Sequence, residues 1–395
     1  MVVPACSASQ RGTAEPRSTV AEVFRRHGPA YLRDHVLTPG QGKALRDVIA
    51  CRTAELGGHL YECLECGKQH PAYNSCRNRH CPTCQSGQAK HWLERRLERL
   101  LPTPYFHVVF TLPEPLRAIA LANPKLVYDL LFVAATLTLQ ELAATHLDAQ
   151  LGITAVLHSW TREMLFHPHL HCIVTGGGLS LDQSRWVPRR KKFLFPVAVI
   201  GALFRGKFLD ALVRAQKAGK LHFAGTSAYL ADPVAFAKLR DQLYKTHWVV
   251  FAKRPFAGPW QILTYLSRYT HRVAISDSRI RLVQDDRIVI KTRGDRTCTL
   301  RPEEFVRRFL LHVLPPEFRK IRHYGLLAPG NLNTRLATAR QLLAAAGYLY
   351  VCRPVQPGEI LGEPIIRTLR CSACGSENIR VVELLPLARA PPATL

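Results

Sequence analysis

Apolar residues recur at helical spacing from Ser18 to Ala54, first Val23, Phe24 and Tyr31, then Leu45, Val48 and Ile49. Pro29 and Pro39 are expected to divide this stretch into shorter helices. Residues 86–101 carry an amphipathic helical pattern with alternating charge signs. TPYFHVVFTLP then reads as a strand bounded by Pro104 and Pro113, and a long helix fills most of 122–147. Two strand-like runs, Ile153 to Trp160 and His169 to Thr175, flank a short polar loop and predict a hairpin. Gly176-Gly177-Gly178 is expected to end its second strand. Helices are predicted over 198–218 and 233–245, a strand over 248–256, and a helix carrying QILTYLSRYTHR after Pro259. Two β runs within 273–301 turn at Asp285-Asp286, and helices return at 302–313 and 332–346. Residues 1–20 and the final LLPLARAPPATL read as loose tails.

The 395 residues suggest two to three domains. With 47% hydrophobic and 21% charged residues, wholesale disorder is excluded. Lys and Arg number 54 against 29 Asp and Glu, a net charge of +25 that calls for a polyanionic partner. Nucleic acid is the first candidate and an anionic membrane surface the second. No run of eighteen apolar residues occurs; the best stretch, Leu130 to Leu139, is broken by Thr136 and Thr138, which argues against a transmembrane helix. The N-terminus lacks the apolar core of a signal peptide. A cytoplasmic, reducing location is expected, where twelve cysteines serve as metal ligands or buried thiols rather than disulfides.

Cys63-Leu-Glu-Cys66 and Cys81-Pro-Thr-Cys84 are two C-x2-C knuckles fourteen residues apart. Paired knuckles offer the tetrahedral sulfur cage that Zn2+ prefers, so these four are expected to hold one structural zinc. Cys51, His59, Cys76 and His80 could form a second site, or serve as core residues. Cys371-Ser-Ala-Cys374 is a third knuckle with no evident partner.

His167-Pro-His169-Leu-His171 places His169 and His171 on one face of a strand, with Leu170 turned to the core. Two imidazoles there suit a divalent metal. His158, on the preceding strand, is the expected third ligand, and Glu163 in the connecting loop is the competitor. Tyr265 and Tyr269 stand at i and i+4, on one helical face, beside Arg268, His271 and Arg272. Such phenols usually face a core, but in a cationic setting tyrosine can also be a covalent nucleophile.

The chain resembles the rolling-circle insertion-sequence transposases of the HUH superfamily, in their two-tyrosine form. The resemblance rests on ACRTAELGGHLYECLECG, SCRNRHCPTCQ, FHVVFTLP, LHSW with HPHLHCIVTGGG, YLSRYTHRVAISDSRI and FRKIRHYGLL, in consistent order from about residue 20 to about 330. It implies an α+β fold, a central antiparallel sheet flanked by helices, preceded by a small zinc-binding domain. The domains expected are a helical, zinc-binding DNA-recognition part (21–100), a catalytic domain (101–275), a basic β/α region (276–350) and a tail with a lone knuckle (351–395). Carried over, His169, His171 and His158 hold Mg2+ or Mn2+, Tyr265 and Tyr269 are the nucleophiles, and the N-terminal cysteines bind zinc.

The implied activity is cutting and rejoining of single-stranded or hairpin DNA ends through a 5′-phosphotyrosine, in a bacterial, nucleoid-associated protein. No nucleotide cofactor is expected, since no G-x-x-x-x-G-K-[ST] loop is present. Residues 251–330 hold 16 Lys and Arg against 7 Asp and Glu, a candidate DNA track. Arg268, Arg272, Arg319, Lys320 and Arg322 are its expected phosphate contacts. The rival readings are a replication initiator or relaxase with the same chemistry, a hydrolytic metal nuclease, and a non-enzymatic zinc-finger regulator.

Overall fold

Thr19 and Thr38 start two helices, α1 (Val20–Asp34) and α2 (Pro39–Ala50), each through a capping box with Glu22 or Gln41. The hairpin β1 (Gly58–Cys63) and β2 (Gln69–Tyr73) follows. Next come β3 (Tyr105–Thr111), the short α3 (Arg117–Ala122) and the long α4 (Pro124–Leu147). A second hairpin, β4 (Ala149–Trp160) and β5 (Phe166–Ser180), is extended by β6 (Trp186–Pro188). Then α5 (Val197–Lys217), α6 (Pro233–Lys245) and β7 (Val250–Phe256) complete the central part. Three short strands, β8 (Ile280–Val283), β9 (Ile288–Lys291) and β10 (Thr297–Leu300), lead into α7 (Pro302–Leu310). The chain ends through β11 (Ile321–Gly325), α8 (Arg335–Ala345) and β12 (Ile379–Leu385). This computed structural model describes residues 18–84, 99–189, 194–256 (backbone alone for 253–256), 273–348 and 370–388. Most of the helix expected over 86–101, and the whole of the one expected after Pro259, lie outside them.

The fold is α+β. Its central sheet is antiparallel, in the order β11-β4-β5-β3-β7, with β6 on the end of β5. Period-two alternation decides its faces. Phe106, Val108 and Phe110 of β3 and Leu170, Cys172 and Val174 of β5 point to one side, where α3 to α6 close the main core. The opposite face carries His107, His158, His169 and His171.

The helix α4 is long and apolar enough to cross a membrane by length and composition. It packs on the sheet instead, burying Leu131, Phe132, Ala135 and Leu139. Thr136 and Thr138 are accommodated because their hydroxyls donate back to the carbonyls of Phe132 (2.8 Å) and Ala134 (2.7 Å).

A second core joins distant parts of the chain. It gathers Val20, Phe24, Leu45 and Val48 from α1 and α2, Ile288 and Ile290 from β9, and Phe305 and Phe309 from α7. Phe24 meets Phe309 edge-on at 5.0 Å.

Two expectations are corrected. Pro29 does not break α1, because it sits on the exposed face and the helix runs on to Asp34. Gly176-Gly177-Gly178 does not end β5, which continues to Ser180. The glycines are needed because neighbouring backbone crowds them: a Cβ would lie 2.5 Å from Pro104 O at Gly176, from Val187 O at Gly177 and from Gln150 O at Gly178.

Candidate metal centres

Antiparallel register sets His158 of β4 directly opposite His169 of β5, and Val156 opposite His171. The three imidazoles converge, each with a ring nitrogen within 4.8 Å of the others. Ring centroids of His158 and His171 are 4.3 Å apart, and those of His169 and His171 4.9 Å. The Nδ1–H of His169 donates to the His167 carbonyl at 2.7 Å, which leaves Nε2 as its ligand atom. His171 Nδ1 and His107 Nε2 lie 2.9 Å apart. For His171 Nε2 to bind a cation, Nδ1 must donate its proton to His107. Burial holds the His169 imidazole down at about 4. Burial, and then the neighbouring His158, His169 and His107, hold His171 well below the usual histidine range. Both are neutral at physiological pH, the form in which imidazole binds metal. The donor set therefore fits one divalent cation. Glu163 stays outside it: its backbone carbonyl accepts from Arg308 Nη1 at 2.8 Å.

The hairpin that presents these histidines is fastened at its tip. Met164, at φ +59°, is fully buried in the second core. His312 Nε2–H donates to the Met164 carbonyl at 3.0 Å, and the Ser159 hydroxyl donates to His312 Nδ1 at 3.1 Å. Arg162 Nη1 reaches the Thr292 carbonyl at 3.2 Å. Neither His107 nor His312 stood out in the sequence. His107 had a weak signal, a lone imidazole inside an apolar strand; His312 had none.

Among the described residues the cysteines form two cages, and the expected grouping of Cys63 and Cys66 with Cys81 and Cys84 is corrected. One cage is Cys51, Cys76, Cys81 and Cys84; the other is Cys63, Cys66, Cys371 and Cys374. The reason is topological. Cys51 caps α2 and packs against the 81–84 turn, with Sγ atoms 3.5 Å from Cys84 and 3.7 Å from Cys81. The β1–β2 hairpin carries Cys63 and Cys66 away to the side where β12 pairs with β1. His80 and His59 join neither cage. His80 Nε2 accepts the Leu314 amide at 3.0 Å and its Nδ1 faces Asn78 Oδ1, while burial pushes its pKa down to about 3. His59 lies on β1 beside Tyr61. The first cage is stitched to its surroundings by Asp277, which accepts from Thr83 Oγ1 (3.0 Å) and from the Val20 amide (2.9 Å).

Among the expected phosphate contacts, Arg319 is exposed. Arg322 is committed elsewhere: it lies 4.2 Å over the Phe132 ring and pairs with Asp129 at 2.5 Å. Lys320 is held down at about 7 by burial and by Arg79 beside it. Tyr265, Tyr269, Arg268 and Arg272 lie outside the described residues.

Two family models match the chain, one described as "Putative transposase" over residues 152–335, the other as "Transposase zinc-binding domain" over 23–112. The chain is 44% identical over 385 residues to "Putative transposase y4qJ" of Sinorhizobium fredii, covering 94% of this chain and 97% of that protein. It is 27% identical over 310 residues to "Transposase for insertion sequence element IS801" of Pseudomonas savastanoi pv. phaseolicola, covering 74% of this chain and 73% of that one. No solved structure matches.

Proposed function

The chain belongs to the rolling-circle insertion-sequence transposases with an N-terminal zinc-binding domain, enzymes that act on DNA, and we propose that it cuts and rejoins single-stranded DNA at the ends of its element through a tyrosine. The observation that carries this reading is the convergence of His158, His169 and His171 on one sheet face, with His169 and His171 held neutral by burial. A divalent cation bound there supplies Lewis acidity toward the scissile phosphate. The all-imidazole set, with no carboxylate among the described residues, favours Mn2+ over Mg2+. The cage of Cys51, Cys76, Cys81 and Cys84 suits a structural Zn2+, since four thiolates leave no open position.

In this reading Tyr269 gives up its phenolic proton and attacks phosphorus. The bond to the 3′-oxygen breaks, that oxygen takes up a proton, and the DNA 5′ end stays on the protein as a phosphotyrosine. Phosphodiester energy is retained, so the free 3′-hydroxyl can attack a phosphotyrosine and rejoin strands without ATP. Tyr265 makes a second cut while the first link persists. Exposed Arg319 and the basic segment 251–330 bind the backbone of unpaired or hairpin DNA.

The test is a label-transfer assay. Single-stranded DNA carrying the element's end, labelled on the 3′ side of the cut, is incubated with protein and Mn2+ and run on a denaturing protein gel. The label should travel with the protein, and disappear in His169→Ala and in the Tyr265→Phe, Tyr269→Phe double variant. Cleavage with no protein-bound label would instead identify a hydrolytic nuclease. Binding without cleavage would reduce the chain to a DNA-binding protein.

A further inference from the structure

The family's zinc-binding domain, matched over residues 23–112, contains six cysteines: 51, 63, 66, 76, 81 and 84. Six thiolates fill one tetrahedral cage and leave a pair over. The fold identifies that pair as Cys63 and Cys66, and completes it with Cys371 and Cys374, which lie beyond both matched regions. We infer that these four cysteines hold a second Zn2+, which latches the C-terminal segment 370–388 onto the N-terminal domain as the third strand of a zinc ribbon.

Four observations support the latch. First, the sulfurs have the right spacing. Cys63 Sγ is 3.5 Å from Cys374 Sγ, and Cys66 Sγ is 3.4 Å from Cys371 Sγ. A tetrahedral zinc with bonds of about 2.3 Å sets its sulfurs about 3.8 Å apart. Second, the two knuckles are built alike. Each is C-x2-C followed by a glycine in the left-handed region, Gly67 at φ +70° and Gly375 at φ +77°. In each, that glycine amide donates to the first cysteine's carbonyl at 2.9 Å. Third, the Cys371 sulfur is surrounded by donors. His70 Nε2 lies 3.1 Å away, with the Ser372 hydroxyl on its Nδ1 at 3.2 Å, and the Ala373 amide donates from 3.4 Å. Such donors stabilise a metal-bound thiolate. Fourth, β12 aligns with β1 from Gly58–Leu385 to Cys63–Ile379, in the sheet order β12-β1-β2.

Little besides the ion would hold this strand. Val381 is 50% exposed and Leu384 70%, so apolar burial contributes little. One ion pair, Arg380 with Glu62 at 2.7 Å, and the backbone ladder remain among the described residues. A three-stranded ribbon of this size is marginal without a staple. The first cage differs: Cys51 and Cys81 are buried in the second core, and Cys76 and Cys84 pack against it. In the second, Cys66 and Cys374 are exposed. The second ion is therefore the one that a chelator or oxidant reaches first, and its loss frees the C-terminal segment while the rest of the fold stands.

The test is independent of how DNA is cut. Zinc is counted by elemental analysis of the purified full-length chain and of its Cys371→Ser, Cys374→Ser variant. Two equivalents should fall to one. In the variant, amide hydrogen exchange should rise in 379–385 and 58–63 and stay unchanged in 20–50 and 149–180. One equivalent in the unmodified chain, or two in the variant, would overturn the latch. Should the variant aggregate, the unmodified chain is titrated with a zinc chelator while exchange is followed. The first equivalent to leave should deprotect 379–385 alone with its partner strand; simultaneous loss of both ions, or release without deprotection, would overturn it equally.

Discussion

His312 offers a direct measure of how firmly the histidine-bearing hairpin is held. Its ring is 1% exposed and held at about 4 by burial, against the Met164 carbonyl's upward pull. The unfolded chain binds the same proton near pH 6.5. A base with a depressed pKa contributes its full stability above 6.5 and loses it progressively as pH falls toward 4, because the unfolded state takes up the proton first. At about 1.4 kcal/mol per pH unit, the loss over that window is ~3 kcal/mol. The contacts give the physical reason: Nδ1 must remain an acceptor for the Ser159 hydroxyl while Nε2–H donates to Met164. The perturbation is His312→Gln, which keeps a donor and an acceptor but cannot titrate. Urea unfolding of both proteins is measured from pH 7 to pH 4 at fixed zinc. Effects of acid on the cysteine cages occur in both and cancel in the difference. The unmodified chain should lose about 3 kcal/mol more than the variant across the window. A difference that stays constant with pH would refute the burial and hydrogen bonding argued for His312.

Three further outcomes follow from the contacts. His107→Gln should weaken Mn2+ binding by roughly 10- to 100-fold, because the partner that fixes the His171 tautomer is altered; unchanged affinity by calorimetry would remove His107 from the site. Met164→Ala should cost about 2–5 kcal/mol in urea unfolding, since it empties a fully buried position in the second core; a cost below 1 kcal/mol would mean that the hairpin tip is not anchored there. Arg319→Ala should lower the salt dependence of single-stranded DNA binding by about one counterion, while Arg322→Ala should lower thermal stability and leave that slope alone; the reverse pattern would return Arg322 to the DNA track.

The central sheet and its histidines were legible because strand alternation is a local property. His169 and His171 share a parity, Leu170 has the other, and a short loop predicts a hairpin that brings His158 back across them. No long-range knowledge is needed for that. His107 required the further fact that β3 pairs with β5 in the register Val109–His171, which no spacing in the chain encodes. Pro29 is tolerated in α1 for a related reason. A proline in a helix removes one hydrogen bond, but tertiary packing of Val23, Phe24 and Tyr31 on the other face can outweigh that loss. The glycine triplet resembles a strand stop in sequence, but marks close approach of three backbones.

The cysteines expose the same limit more sharply. Spacing identifies each knuckle, because two thiolates must come from one tight turn. It does not identify which knuckles share an ion, because that depends on where each turn is carried by the rest of the fold. Cys63 and Cys66 are fourteen residues from the next pair, yet their partners lie 305 and 311 residues away. One local clue did distinguish the sets. Cys66-Gly67 and Cys374-Gly375 share a glycine that the left-handed knuckle geometry uses, whereas Cys84 is followed by Gln85. In the fold the two glycine-bearing knuckles are the ones that converge, and Cys81 and Cys84 lie with Cys51 and Cys76.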